Sequence, residues 1–171
     1  MQKKVNIYID ELDFSILSLL QEDGRMSFTD IAKTLGIAVG TVRNRFAKLI
    51  EDKTVQIIGR INPHYVGFNA PATISVSIEP QYLEEAIDEI AKFPEVSYLS
   101  VLTGEFDVMV DVMCRDANHL TEFLLKRLAR VKGVRDFRTA LILQIHKYAQ
   151  PDLNLTNPTE LADLEQEEIF R

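Results

Sequence analysis

The stretch SFTDIAKTLGIAVGTVRNRFAKLI, residues 27–50, decides the fold of the N-terminal third of this chain. A serine opens its first half, an aspartate follows three residues later in a capping-box-like position, and Gly36 ends the apolar stripe, which predicts a short capped helix. After this tight turn, Val42 and Phe46 recur on one side of a second predicted helix, from about Val39 to Lys53. Two short helices joined by a glycine turn are typical of a helix-turn-helix.

A further helix is predicted before this pair. Apolar residues recur at helical spacing between Leu12 and Asp23, Asp10 is a candidate N-cap, and Gly24 breaks the pattern. The N-terminal third is therefore predicted to be a three-helix, winged or plain helix-turn-helix domain.

The polar face of the third helix is the first candidate site. At about 100° per residue, the apolar stripe turns inward and leaves a donor-rich face outward, which suits base edges and phosphates. The alternative is an ordinary solvated face, but the capped helix and the glycine turn before it favour DNA contact. The predicted DNA-binding residues are Thr29, Val39, Gly40, Thr41, Arg43, Asn44, Arg45 and Lys48.

Charge is unevenly distributed along the chain. Residues 1–62 hold nine Lys/Arg against eight Asp/Glu, whereas residues 63–171 hold ten against eighteen, within a total net charge of −7. The N-terminal third is thus the part suited to a polyanion, which needs a local basic surface rather than a basic total. The single cysteine, the lack of a long apolar run and the lack of a secretion signal predict a cytoplasmic protein.

The pattern changes after the helices. Residues 55–61 are predicted to form a strand, and residues 63–71 a linker that is loosely ordered at most. Alternation of apolar and polar residues then predicts strands and helices in the order βαββαβ, the ferredoxin-like plan of an α+β protein. The predicted strands are 72–78, 96–102, 106–113 and 134–146, and the predicted helices are 83–91 and 116–130.

Four segments follow from these patterns. We expect a helix-turn-helix domain with a hinge strand over 1–62, the linker over 63–71, a ferredoxin-like dimerisation and ligand-sensing domain over 72–147, and an acidic extension over 148–171. In that extension, Leu161 and Leu164 suggest a short helix that docks elsewhere, with a disordered extension as the alternative.

The turn between the two middle strands is the second candidate site. Gly104 permits close backbone approach, and Thr103 and Asp107 offer a hydrogen bond and a charge to an α-amino group. From the residues alone, a solvated hairpin is the favoured interpretation.

The chain resembles the Lrp/AsnC family of transcription regulators over about residues 10–147. The motifs that carry the resemblance are Leu12-Asp13, Asp23-Gly24-Arg25, Leu35-Gly36, Val42-x-x-Arg45, Leu49, Gly67, Gly104-x-x-Asp107 and Gly133-Val134. The resemblance implies a helix-turn-helix, a hinge strand, and a ferredoxin-like domain that dimerises sheet to sheet. It also implies that amino acids or related small molecules bind between subunits. The resemblance implicates Gly104 and Asp107, together with Thr103 and Glu105, in effector binding, and Ser100 and Thr139, on neighbouring strands, complete the predicted set.

The chain departs from the family pattern at four places. Ala38 stands where the recognition helix usually has a serine cap, and Lys53-Thr54 where many members have a glycine. Asp111 replaces a residue that is often basic or neutral, and is interpreted either as selecting a cationic effector or as pairing with an arginine across the subunit interface. The tail from about Tyr148 is longer than usual, so these departures affect effector identity more than fold.

The predicted function is a transcription regulator that is not an enzyme. It binds double-stranded DNA, responds to an effector that is an amino acid or a related molecule, and forms a homodimer or a larger assembly such as a tetramer or octamer. Two alternatives stay open: an enzyme on the same scaffold, similar to tetrapyrrole decarboxylases, and a ligand-binding oligomer without DNA binding. His64, His119, His146 and Cys114 lack metal-ligand spacing, so neither metal nor cofactor is predicted.

Overall fold

The computed structural model describes residues 9–156, which form two compact units. The N-terminal unit consists of residues 9–59 together with 148–156, and the sheet unit of residues 60–147. Each has its own core of buried apolar side chains. Within the described ranges, every helix falls short of the length and apolarity that a bilayer span needs.

Three helices build the N-terminal unit: α1 (Glu11–Glu22), α2 (Phe28–Leu35) and α3 (Val39–Glu51). One residue from each helix is fully buried in a single shared core: Ile16, Ile31 and Val42. The predicted caps are confirmed. The Asp10 carboxylate accepts from the backbone N–H of Asp13, and the Ser27 hydroxyl accepts from that of Asp30.

The turn between α2 and α3 depends on a left-handed residue. Gly36 ends α2 with φ of 68°, a conformation that costs a side-chain-bearing residue about 1 kcal/mol. α3 then starts without a side-chain cap, because Ala38 occupies the N-cap position. The helix-turn-helix predicted from residues 27–50 is thereby confirmed.

A four-stranded antiparallel sheet forms the second unit. Its strands are β1 (Ala70–Ile78), β2 (Val96–Val101), β3 (Val108–Cys114) and β4 (Val134–Leu141), in the spatial order β2-β3-β1-β4. The helices α4 (Leu83–Ile90) and α5 (Ala117–Lys126) contribute buried side chains to the same core as the strands. The order βαββαβ and the ferredoxin-like plan are confirmed, and the fold is α+β.

Alternation along β1 and β3 separates two faces of the sheet. Ile74, Val76, Val108 and Val110 are fully buried in the core with the helices. Their neighbours face the other way and are only half-buried: Thr73, Ser75, Ser77, Met109, Asp111 and Met113. We call this second surface the open face.

Cys114 ends β3 on the core side and is fully buried. Burial raises the pKa of its thiol, and the negative charges of Glu95 and Asp116 act in the same direction.

The predicted strand over residues 55–61 is wrong for the described chain. The structure has no β-strand there, and no segment of residues 9–156 pairs with it in a ladder. A strand needs a hydrogen-bonded neighbour, and an apolar run of this kind does not say where that neighbour comes from.

The predicted loosely ordered linker is also corrected. Residues Pro63–Val66 form a 3-10 helix, because the Asn62 side chain accepts from the N–H of His64 and Pro63 occupies the first helical position. β1 starts at Ala70, two residues before the predicted start.

Several predicted ends of helices and strands also differ in the structure. β3 starts at Val108 rather than 106, and α5 ends at Lys126 and is followed by a 3-10 turn, Leu128–Arg130. β4 ends at Leu141 rather than 146 because Leu141 pairs with Ala72, near the beginning of β1, and little of β1 remains beyond it. The predicted tail helix around Leu161 lies outside the described residues.

Candidate nucleic-acid interface and ligand site

α3 exposes a polar face away from the core of the N-terminal unit. Gly40, Arg43, Asn44 and Lys48 are exposed, and no hydrogen bond or ion pair occupies the last three side chains within residues 9–156. Their donors are therefore available to a molecule outside the chain. The other predicted contacts lie nearby in sequence: Val39 and Thr41 are half-buried in the first turn of α3, and Thr29 is exposed in the first turn of α2.

Gly40 has no packing role inside the chain. A Cβ placed there would meet nothing within 4 Å, and Gly40 is the second residue of α3, where glycine costs part of the roughly 1 kcal/mol that it costs relative to alanine in a helix interior. Because this position has no side chain, an external surface can approach the helix backbone closely at Gly40.

The beginning of α3 suits an anionic partner. Ala38 provides no side-chain cap and the first turn carries no acidic residue, so the N–H groups and the positive end of the helix dipole are uncompensated there. Ala47 and Glu51, which were not predicted as contacts, are also exposed on this face. Glu51 places a negative charge at the far end of α3, which directs an anion toward the first turns.

Arg45 differs from the other predicted contacts. Its Nη1 donates to Oδ2 of Asp10 at 2.5 Å and to Oδ2 of Asp13 at 3.1 Å, which ties α3 to the first turn of α1. The Asp13 side chain is only 4% exposed, so this ion pair compensates a buried charge. Burial acts to raise the pKa of Asp10, but the N–H of Asp13 and the Arg45 guanidinium outweigh it and hold that pKa below its usual range.

In the sheet unit, Asp107 braces the strands beside the loop that precedes β3. Its Oδ2 accepts from the backbone N–H of Ile78 at 2.7 Å and lies 3.9 Å from Nη2 of Arg135. Its own N–H donates to the carbonyl of Val76, and its carbonyl accepts from the N–H of Leu102. The carboxylate predicted to meet an α-amino group is thus already engaged within the chain.

The exposed tip of this loop is linked to β4. Glu105 pairs with Arg138 at 3.2 Å, and the Arg138 guanidinium stacks over the Phe106 ring at 5.2 Å. Gly104 has φ of 131°, which a side-chain-bearing residue rarely adopts, and Thr103 is exposed beside it. Arg138 was not predicted from the sequence, because its place beside the loop depends on the pairing of β4 with β1.

Strand register places the remaining predicted residues on different faces. Ser100 pairs with Met109, Met109 with Ser75, and Ser75 with Arg138, so these four form one row across the open face. The Ser100 hydroxyl oxygen is buried and has no hydrogen-bond partner among residues 9–156.

Thr139 lies on the opposite face. It pairs with Ile74, a core residue, and cannot reach the same pocket as the Ser100 side chain. The structure therefore brings together Thr103, Gly104, Glu105 and Asp107, but does not bring Thr139 to the side of Ser100.

Asp111 lies one row away from Ser100 on the open face. Its Oδ1 accepts from the Thr73 hydroxyl at 2.6 Å, so the neighbouring strand supplies a partner within the chain. No group of three or more acidic, histidine or cysteine residues in the described part of the chain is arranged to hold a metal ion.

A helix-turn-helix with a free polar face, together with a separate ferredoxin-like domain, is the arrangement of a DNA-binding protein with a second, accessory domain. Comparisons with known proteins agree. The AsnC-type helix-turn-helix domain model matches residues 9–50, and the Lrp/AsnC ligand-binding domain model matches residues 71–152. The chain belongs to the Lrp/AsnC family.

Three relatives illustrate this membership. An uncharacterized HTH-type transcriptional regulator of Pyrococcus horikoshii is 34% identical over 83% of this chain and 90% of its own length. A transcriptional regulator of Neisseria meningitidis, solved as a complex with L-methionine, is 28% identical with a TM-score of 0.77, over 85% of this chain and 97% of that one. The leucine response regulatory protein of Mycobacterium tuberculosis is 26% identical with a TM-score of 0.77, over 84% of this chain and 99% of that one.

Proposed function

We propose that this regulator reads DNA with the exposed face of α3 in the major groove. Arg43, Asn44 and Lys48 supply donors to base edges and phosphates. The first turns of α2 and α3 lie against the sugar-phosphate backbone of the DNA. Thr29, Val39 and Thr41 complete the contact surface. Arg45, which was predicted as a contact, is assigned here to positioning α3 through its ion pair with Asp10 and Asp13.

The observation that carries this proposal is the glycine at position 40. It weakens a helix and fills no tight space within the chain, so its use lies in admitting something from outside. A DNA groove requires such close approach of a helix, and an ordinary solvated surface does not.

We further propose that an amino acid or related small molecule binds at the loop 102–107, between subunits. The family's ligand-binding domain supports a small-molecule effector, and the relative solved with L-methionine supports the amino-acid class. The partnerless Ser100 hydroxyl and the Glu105–Arg138 pair supply a polar group and both charges that an amino acid needs. Asp107 acts by holding the loop.

We propose that the open face pairs with a second subunit. It carries half-buried methionine side chains at Met109 and Met113 among hydroxyls, a composition suited to burial against a similar surface. A dimer presents two copies of α3 to successive turns of the groove and so favours a pseudo-palindromic site. Effector binding between subunits then changes assembly or helix spacing, and the coupling is reciprocal.

The DNA proposal is tested by fluorescence anisotropy on a duplex from upstream of the protein's own gene. We expect binding at about nanomolar Kd that weakens steeply with salt, and loss of this binding in Arg43→Ala/Asn44→Ala. Lys92→Ala is the matched control, because it removes one exposed positive charge from the sheet unit. Equal losses of DNA affinity in both variants would mean that only the removal of positive charge matters, and would contradict the role of α3.

The effector proposal is tested by calorimetry with the twenty amino acids, followed by anisotropy with any that binds. A bound amino acid must change DNA affinity, and DNA must change the amino-acid affinity by the same factor. The relatives are named transcriptional regulators, which favours regulation over catalysis. A Soret band in the purified protein together with absent DNA binding would instead favour the tetrapyrrole enzyme.

A further inference from the structure

An open apolar groove lies beside the C-terminal end of α3 in the N-terminal unit. Its volume is about 470 Å³, and it is lined by Phe46, Ile50, Lys53, Val55, Gln56 and Ile57. Ile50 is 41% exposed and Ile57 is 45% exposed, so the apolar floor continues to the surface. Asn44 and Lys48 lie on the other side of α3 from Phe46, whereas Arg43, three residues before Phe46, lies where the DNA-reading face borders the groove.

The rim of this groove contains an unusual backbone conformation. Lys53 has φ of 58°, and it is the one residue other than glycine with positive φ in the described part of the chain. A left-handed conformation disfavours any residue with a Cβ, and glycine would relieve it. A lysine kept in this position places a positive charge at the edge of an apolar groove, which suits a partner that is both apolar and acidic.

The chain's own C-terminal segment has that composition. Residues 157–171, which lie outside the described residues, contain the apolar Leu161, Leu164, Ile169 and Phe170 and the acidic Glu160, Asp163, Glu165, Glu167 and Glu168. Apolar and acidic side chains are interleaved, so one segment offers both chemistries within a short length.

The preceding residues bring this segment to the correct side of the N-terminal unit. Residues 148–156 belong to that unit, and Nε2 of Gln21 donates to the carbonyl of Pro151 at 2.6 Å. Gln21 lies three residues before Gly24, and a Cβ placed at Gly24 would lie 3.8 Å from Cγ2 of Ile57 in the groove lining. The chain is thus held at the end of α1 that borders the groove.

The remaining length is sufficient. Fifteen residues follow Thr156, and an extended chain spans up to about 50 Å over that number. Gln21, which holds Pro151, is three residues from Gly24, and Gly24 lies next to Ile57 of the groove lining, so this length is enough to reach and fill the groove.

We propose that residues 157–171 dock in the groove between α3 and residues 55–57 of the same chain, with apolar side chains on Phe46, Ile50 and Ile57 and acidic side chains beside Lys53. The segment then covers apolar surface of the DNA-binding domain while the reading face of α3 stays open. The inference does not depend on the proposed DNA or effector contacts, since its residues belong to neither.

Hydrogen exchange of the full-length protein tests the docking. We expect Leu161→Asp/Leu164→Asp to speed amide exchange severalfold in residues 50–58, and to leave α4 and α5 unchanged. Leu155→Asp, a single leucine-to-aspartate change at an 84% exposed side chain just before the segment, is the control, and each of Leu161→Asp and Leu164→Asp alone should exceed it. Unchanged exchange in residues 50–58 would overturn the proposal, as would faster exchange confined to residues 39–48 together with tighter DNA binding, which would place the segment on the reading face.

The Lys53→Gly variant tests the pairing of Lys53 with the acidic residues of the segment, through the direction in which the melting temperature changes. With the apolar residues of the segment replaced by aspartate, glycine should raise the melting temperature because it relieves the left-handed backbone. With the native segment, the rise should be smaller or reversed, because the pairing is lost. Equal shifts in both backgrounds would contradict the role of Lys53.

Carbodiimide cross-linking decides which chain supplies the segment. Links between Lys53 and the acidic residues 160–168 within single-chain bands on a denaturing gel are expected. The same links found only in two-chain bands would show exchange between subunits and would contradict docking in the same chain.

Discussion

Nη1 of Arg45 lies 2.5 Å from Oδ2 of Asp10, a residue thirty-five positions earlier in the chain. The same nitrogen reaches Asp13, so one guanidinium holds the start of α1 against the middle of α3. Arg43, two residues away, is exposed and makes no such pair within residues 9–156. Two arginines on one helix therefore have separate roles, one within the domain and one toward its surroundings.

Arg45→Ala and Arg43→Ala should consequently separate stability from DNA affinity. Loss of Arg45 leaves the buried Asp13 carboxylate without its partner and should cost roughly 1–3 kcal/mol in urea unfolding. Loss of Arg43 should change stability by less than about 0.5 kcal/mol but weaken DNA binding about tenfold or more. A similar stability loss in both variants would contradict this division.

Gly40→Ala should move stability and DNA affinity in opposite directions. The added methyl group meets nothing within the chain, so helix propensity should raise the free energy of unfolding by up to about 1 kcal/mol. The same methyl group should hinder approach to the groove and weaken DNA binding about tenfold. Ala47→Gly, on the same face but in the interior of α3, serves as the control for propensity and should lower the free energy of unfolding by about 1 kcal/mol. Unchanged DNA affinity in Gly40→Ala would remove the main support for α3 as the reading helix.

Asp10→Asn tests the ion pair through pH. The pKa of Asp10 is lowered in the folded state, so its contribution is present above the unfolded pKa, about 3.9, and is lost as pH falls through the folded value. Asparagine keeps the N-cap but not the charge. The variant should therefore be less stable than the wild type at pH 7, and the difference should vanish in acid. A difference that persists at pH 2 would indicate a cause other than ionisation.

Glu105→Gln and Thr139→Val distinguish the two faces of the sheet at the proposed effector site. Glu105 lies at the loop tip and pairs with Arg138, whereas Thr139 faces the opposite side. Glu105→Gln should weaken amino-acid binding severalfold with little change in stability, because the pair is exposed. Thr139→Val should leave the affinity unchanged in the same calorimetric titration. A loss of affinity only in the Thr139 variant would move the site to the other face.

Gly133→Ala and Gly67→Ala separate a steric cost from a conformational one. Both glycines have positive φ, 88° and 93°. A Cβ at position 133 would lie 2.5 Å from Cβ of Tyr82, whereas one at position 67 would meet nothing within 4 Å. Urea unfolding should show a loss of about 1 kcal/mol for Gly67→Ala and a clearly larger one for Gly133→Ala. Equal losses would mean that Tyr82 moves aside without cost.

Local signals account for what the sequence predicted well. The caps at Asp10 and Ser27, the left-handed Gly36 and the alternation along β1 are each set by residues within a few positions, so periodicity and cap chemistry found them. The order βαββαβ followed from the same patterns, and with it the location of the loop at Gly104.

Non-local pairing accounts for what the sequence did not predict. Residues 55–61 have the composition of a strand, but a strand also needs a partner. The end of β4 depends on where β1 begins. The role of Arg45 depends on carboxylates at the start of α1, more than thirty residues earlier in the chain. The face on which Thr139 lies could have been predicted from the sequence. Residues two apart on a strand lie on the same face, and the side chain of Phe137 packs against the core.

Cys114 gives the sheet unit an intrinsic chemical reporter. Its thiol is fully buried and its pKa is raised by burial and by nearby negative charges, so both access and thiolate formation are suppressed while β3 stays in place. Since the sequence has one cysteine, the alkylation rate of the native protein measures how often this strand opens, with no background from the DNA-binding unit. The rate of local opening in the ligand-binding domain can thus be measured in the intact regulator, with DNA or amino acid present, without any engineered label.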